Sequence, residues 1–139
     1  MFEVMYEEGG VGLAAPQVGV NVRMLVLDVP MDEEEPFHRV LINPEVIRTE
    51  GTQKGEEGCL SFPGLRESIV RDADITVRAQ DENGDVFEFE ADDLLSRAVQ
   101  HEIDHLNGIL FIDRLSPVRR ALLGKRLKKI MAERGARVN

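Results

Sequence analysis

Apolar residues recur along this chain with two different periods. Val22–Val29 (VRMLVLDV) is a β-rich apolar run, the pattern of a buried strand. Val40–Asn43 and Glu45–Thr49 read as short strands around Pro44, and Glu57–Ser61 as another. Ile75–Ala79 and Val86–Glu90 alternate apolar with polar residues, and Asn83-Gly84 between them is a hairpin turn signal. Beyond Asp92 the period lengthens. Leu94, Leu95, Ala98, Val99, Ile103 and Leu106 fall on a helix that Asp92 or Asp93 can cap and Asn107-Gly108 ends. Ser116-Pro117 opens a second helix, with Ser as cap and Pro in the first turn, that runs to Arg134 and stops at Gly135. Residues 1–8 form the last turns of a helix closed by Gly9-Gly10, and Gly9–Gly19 is a loop of small residues. Strands first and helices last predict an α+β fold.

Length and composition narrow the class. With 139 residues the chain suits one domain, 1–139, able to bury most of its apolar surface. Its 42% apolar and 31% charged residues exclude wholesale disorder. No apolar run approaches the roughly 20 residues of a membrane-spanning helix, and the start MFEVMYEEGG is acidic where a secretory signal is basic. A single cysteine, Cys59, excludes an internal disulfide and any CxxC site and fits a reducing cytoplasm.

Charge adds an asymmetry. The net −9 argues against general nucleic-acid binding, so no DNA partner is expected. Residues 117–139, however, hold eight basic residues and one acid, a sum of +7 that leaves −16 for residues 1–116. The acidic run Asp32–Glu35, between Pro30 and Pro36, reads as a solvated loop.

Chemistry concentrates on the first predicted helix. His101-Glu102-Ile103-Asp104-His105 is an HExxH pattern, and its i, i+4 spacing puts both imidazoles on one helix face, one turn apart. Glu102 is adjacent and can reach a metal-held water as general base. The fold reading thus becomes short, mainly antiparallel strands packed around a central HExxH-bearing helix, with a C-terminal helix. A catalytic site needs a third protein ligand and an open position. The extended metzincin pattern holds through Gly108 but has Phe111 where a third His belongs. The remaining nitrogen or sulfur donors are His38 and Cys59. Cys59 alone reads as a small buried hydrophobe; beside HExxH and no other ligand it becomes the third-donor candidate. Gly10–Gln17 lacks a phosphate-binding signature, but its small residues let backbone approach a ligand. Gln17 there is either a solvent-facing turn residue or an uncharged donor for an oxyanion.

GVGLAAPQ (Gly10–Gln17), EGCLS (Glu57–Ser61) and QHEIDH (Gln100–His105) resemble, in this order, the three motifs of peptide deformylases, over nearly the whole chain. The resemblance implies that Cys59, His101 and His105 bind one divalent metal ion, Fe2+ in vivo, with Zn2+, Ni2+ or Co2+ in purified protein. It makes Glu102 the general acid/base and places Gln17 and the Leu60 backbone N–H at an oxyanion hole. The implied reaction is hydrolysis of the formyl group from the formyl-methionine of nascent polypeptides, releasing formate.

By the same resemblance Val11, Gly12 and Gly58 pair with an extended peptide. Val11, Leu94, Ala98 and the His101 ring line the methionine pocket, and Arg97, where many relatives have an apolar residue, gives it a more polar or partly closed rim. Arg66 lies near the substrate backbone or is a surface charge. Asp104 and Arg71 hold the His-bearing helix in place. The C-terminal helix packs Leu122, Leu123, Leu127 and Ile130 on the body, and relatives dock it on the ribosome near the tunnel exit, which a +7 segment suits. Relatives also carry a further segment ahead of the position of Met1, so this chain begins inside their first helix. Two other readings, an HExxH metallopeptidase and a non-catalytic ribosome-associated homologue, are opposed by Phe111 and by the intact Glu102 and Gln17.

Overall fold

Five strands pair in chain order into one antiparallel sheet: β1 (Gly12–Ala14), β2 (Met24–Val29), β3 (Phe37–Cys59), β4 (Phe62–Gln80) and β5 (Val86–Ala91). Helix α1 (Phe2–Glu7) precedes the sheet, a 3-10 turn (Ala15–Val18) follows β1, and helix α2 (Asp93–Leu106) follows β5. This computed structural model describes residues 1–7, 9–32, 34–59, 62–109, 117, 118 and 121, with backbone alone for 58, 59 and 62–67. Residues 117, 118 and 121 are helical; the rest of the helix expected from Ser116 lies outside the described residues.

The strands expected around Pro44 are not separate. They join with Glu57–Cys59 into β3, 23 residues long, paired to the 19 residues of β4. Pro44 has no N–H to give to a ladder. It is accommodated because the register with β4 shifts between Ile42 and Glu45, with Asn43 in the left-handed region at φ 51°. Beyond that bulge, polar residues 50–57 stay in register with 67–74. The β4–β5 hairpin is as expected. Asp81 Oδ1 accepts the N–H groups of Asn83 and Asp85 at 2.8 and 3.0 Å, and Gly84 takes φ 83° at no steric cost. The loop expected over Gly9–Gly19 contains β1, whose register with β2 runs Gly12↔Leu27 to Ala14↔Leu25.

Strand alternation splits β2 between two cores. Leu25, Leu27 and Val29 point to the side where α2 lies and pack with Leu41, Ile75, Val77, Leu95, Val99 and Ile103. Val26 faces the other side, with Leu13 and Met5 of α1. Each fully buried Leu or Val of this kind contributes about 1.5–3 kcal/mol of transfer free energy. The boundaries of α2 match the expected helix, with one difference in its faces. Leu94 is 42% exposed, while Ser96, Arg97, His101, Glu102, Asp104 and His105 are buried. Its buried face therefore carries a polar half beside the apolar stripe. Asp92 is the N-cap by position, but its side chain makes no capping bond, and Asp93 has φ 46°. No helix among the described residues is long and apolar enough to cross a membrane.

Candidate functional site

The polar half of α2 gathers two imidazoles and a carboxylate. His101 and His105 are 9% and 8% exposed, and their Nε2 atoms lie 3.3 Å apart. One ligand atom from each of His101, Glu102 and His105 falls within 4.8 Å of the others. Two nitrogens at about 2.0–2.1 Å from a tetrahedral ion stand about 3.4 Å apart. The observed spacing of the histidines therefore fits a shared divalent cation.

His101 is oriented from behind. Its Nδ1 lies 2.9 Å from Glu57 Oε1, at the end of β3. Burial opposes a charge on Glu57, but the hydrogen bonds from His101 and Arg71 outweigh it and lower its pKa from 4.5 to about 2. An ionised carboxylate only accepts, so Nδ1 carries the proton, and Nε2 is the nitrogen turned towards His105. Arg71 on β4 donates from Nε and Nη2 to the two Glu57 oxygens, both at 2.9 Å, and from Nη1 to Asp104 on α2. Burial disfavours its charge too, yet Glu57 and Asp104 raise its pKa. Arg71 and Asp104 thus tie α2 to the sheet, as the sequence suggests.

Arg97, expected at a polar or partly closed pocket rim, lies in a buried network among the described residues. It is 7% exposed, and its Nη1 donates to Glu57 Oε2 at 2.7 Å and to the carbonyls of Gly55 and Ile69, both at 3.1 Å. Its Nη2 donates to Gln53 Oε1 at 3.1 Å.

The glycine-rich segment meets the same centre. A Cβ on Gly12 would stand 2.8 Å from Glu102 Oε2 and 2.9 Å from its Cγ, so only glycine lets β1 lie this close to Glu102. Gln17, in the 3-10 turn, accepts the Ala14 N–H on Oε1 at 2.8 Å, which assigns its NH2 as the donor end. Val11 is half-buried and Ala98 buried. His38, the other donor considered, stacks on Phe2 with ring centroids 4.3 Å apart. The backbone pairs Gly58 with Arg66 and Cys59 with Phe62. The side chains of Cys59 and Arg66, and all of Leu60, lie outside the described residues.

Sequence reasoning placed Glu57 only inside a motif and overlooked Gln53 and Gly55. No local signal marks them, because their partners on α2, Asp93, Arg97 and His101, lie 40 or more residues away. Gln100 is similar: its amide holds the backbone of Asp72, with N–H···O contacts of 2.9 and 3.1 Å.

Comparison with known proteins gives a consistent picture. The family description "Polypeptide deformylase" matches residues 1–121. A peptide deformylase of Acidobacterium capsulatum is 53% identical over 130 residues, covering 94% of this chain and 76% of that protein. One of Hydrogenovibrio crunogenus is 50% identical over 133 residues, covering 96% and 78%. Among solved structures, a peptide deformylase from Legionella pneumophila is 44% identical with a TM-score of 0.85, over 97% of this chain and 79% of that one. Another, from Ehrlichia chaffeensis, is 37% identical with a TM-score of 0.88, over 100% and 82%.

Proposed function

The chain belongs to the polypeptide deformylase family, and on that premise we propose that it hydrolyses the N-formyl group of formyl-methionine on nascent polypeptides, releasing formate. The observation that carries this reading is the buried pair of facing Nε2 atoms, with Glu102 beside them and Glu57 behind His101. Cys59, His101 and His105 would hold one divalent cation, Fe2+ by family resemblance. Cys59 ends β3 two residues beyond Glu57, which touches His101. When bound, such a cation polarises a carbonyl and brings the pKa of water towards ~7.

The chain's own groups do the rest. Glu102 takes a proton from the attacking water and delivers it to the nitrogen of the departing amine. The C–N bond of the formamide breaks; the water oxygen leaves in formate and the peptide keeps a free amine. The carbonyl oxygen becomes negative on the way. The Gln17 NH2, aimed by the Ala14 contact, and the Leu60 N–H stabilise that charge; losing one such donor costs about 10²–10³ in kcat. β1 lies at the edge of the sheet, where an extended peptide can add as a strand against Val11 and Gly12, with Gly58 at the end of β3. Val11, Leu94 and Ala98 offer apolar surface to the methionine side chain, and Arg66 a cation for the peptide backbone. The basic segment 117–139 docks on the ribosome near the tunnel exit, in the cytoplasm, where such chains emerge.

The test is formate release from formyl-Met-Ala-Ser by anaerobically purified protein loaded with Fe2+ or Ni2+. Glu102→Gln is expected to keep its metal and lose at least about 100-fold in kcat. Wild-type turnover in that variant removes Glu102 from its role. Cleavage of the unformylated peptide would turn the reading towards a metallopeptidase.

A further inference from the structure

Two guanidiniums converge on Glu57, and they are not equivalent. Arg71 has a second carboxylate, Asp104, and forms a two-pronged pair with Glu57. Arg97 has one anion among its partners, Glu57, and three neutral acceptors. Those acceptors belong to β3 (Gln53, Gly55) and β4 (Ile69), whereas Arg97 sits on α2 four residues before His101, on the same helix face. A buried cation in such a place is weak evidence for stability, since an apolar side chain of similar volume often serves as well.

The distribution of donors on Glu57 indicates a different use. Oε2 accepts from Arg71 Nε and Arg97 Nη1, and Oε1 accepts from Arg71 Nη2 and His101 Nδ1. Four donors fill the four acceptor sites of the carboxylate, which leaves it one orientation. Without Arg97, Oε2 would keep a single donor, Arg71 Nε, and one acceptor site of the carboxylate would be unfilled. Space for the second guanidinium comes from Gly55: a Cβ there would stand 2.7 Å from Arg97 Nη2 and 2.9 Å from Cζ.

We propose that Arg97 is a positioning residue of the metal centre: by completing the donor set of Glu57 it fixes the tautomer and ring orientation of His101. The inference rests on the metal centre proposed above. Removing the outer partners that hold metal-bound histidines typically changes metal affinity about 10–100-fold, and Arg97 acts through such a partner, Glu57.

The experiment compares wild type, Arg97→Met, Gly55→Ala and Val99→Ala, all as full-length chains. Three quantities are read: Co2+ affinity by competition with a chelator, the visible d–d spectrum of the Co2+-loaded protein, and the exchange-protected His101 Nδ1–H signal by NMR on the chain as purified. Arg97→Met is expected to lose about 10–100-fold in Co2+ affinity, to change the d–d bands and to lose the protected proton. Gly55→Ala, which pushes the guanidinium off Glu57 while keeping the charge, should show the same spectral change with a smaller loss. Val99→Ala makes a cavity in the same helix and should lower stability while leaving all three readings at wild-type values. Wild-type spectrum and proton signal in Gly55→Ala overturn the proposal, and that variant decides alone if Arg97→Met does not fold. Equal changes in Val99→Ala also overturn it, because the readings would then report stability only. A wild-type chain that binds no Co2+ refutes the metal centre instead, and the Nδ1–H signal still tests the role of Arg97.

Discussion

Replacing Glu57 by Gln removes the anion at the hub of a buried network with little change of shape. Arg71 then keeps Asp104, and Arg97 loses its ion pair. The magnitude follows from the lowered pKa. A drop from 4.5 to about 2 corresponds to about 3 kcal/mol of folding stability at neutral pH. That agrees with the roughly 3–5 kcal/mol seen when one partner of a buried pair is removed. The sign is fixed by linkage. The folded-state pKa is depressed, so the contribution is fully present above the unfolded value of 4.5 and is lost as pH falls towards about 2. By pH 3 about 2 of the about 3 kcal/mol should be gone. The assay is urea unfolding of metal-free wild type and Glu57→Gln at half-unit steps from pH 7 to pH 3, followed by far-UV circular dichroism because the chain has no Trp. Carboxyls outside this network titrate alike in both proteins and cancel in the difference. The expected difference is about 3 kcal/mol from pH 7 down to pH 5.5, shrinking to about 1 kcal/mol at pH 3. A difference that stays constant across that range refutes the reasoning, since Glu57 would then not be held ionised by its neighbours.

Other predictions follow from the same geometry. Gly12→Ala should lower kcat about 100-fold with far-UV dichroism unchanged, because the new Cβ displaces Glu102 by about 1 Å; steady-state formate release at saturating substrate checks this, and an unchanged kcat separates Glu102 from the proton transfers. Leu41→Ala, in the α2-facing core, should cost about 2–5 kcal/mol in urea unfolding while metal affinity of the folded protein stays at the wild-type value.

Much of the fold is legible in the chain. The lengthened period after Asp92 marks α2 nearly to its ends, and Asn83-Gly84 marks the last hairpin, because both are local: periodicity and turn chemistry act over a few residues. The candidate donors His101 and His105 are legible for the same reason, since helical spacing alone brings them together. Legibility fails at Pro44 and at residues 50–56. A proline reads as a strand break until its bulge is seen, and a polar stretch with no apolar alternation carries no strand signal of its own. Its extended form comes from pairing with β4.

Arg97 shows the limit most clearly. As one residue of a helix it reads as a charge on a pocket rim. Its actual surroundings, Gln53, Gly55, Glu57 and Ile69, lie 28 to 44 residues away in the chain. The sequence by itself therefore determined the helix, its two imidazoles and the hairpin. Only the tertiary structure decided that Glu57 stands behind His101 and that two arginines hold it there. A buried charge is tolerated only where partners from distant segments satisfy it, and that condition cannot be read from neighbours along the chain.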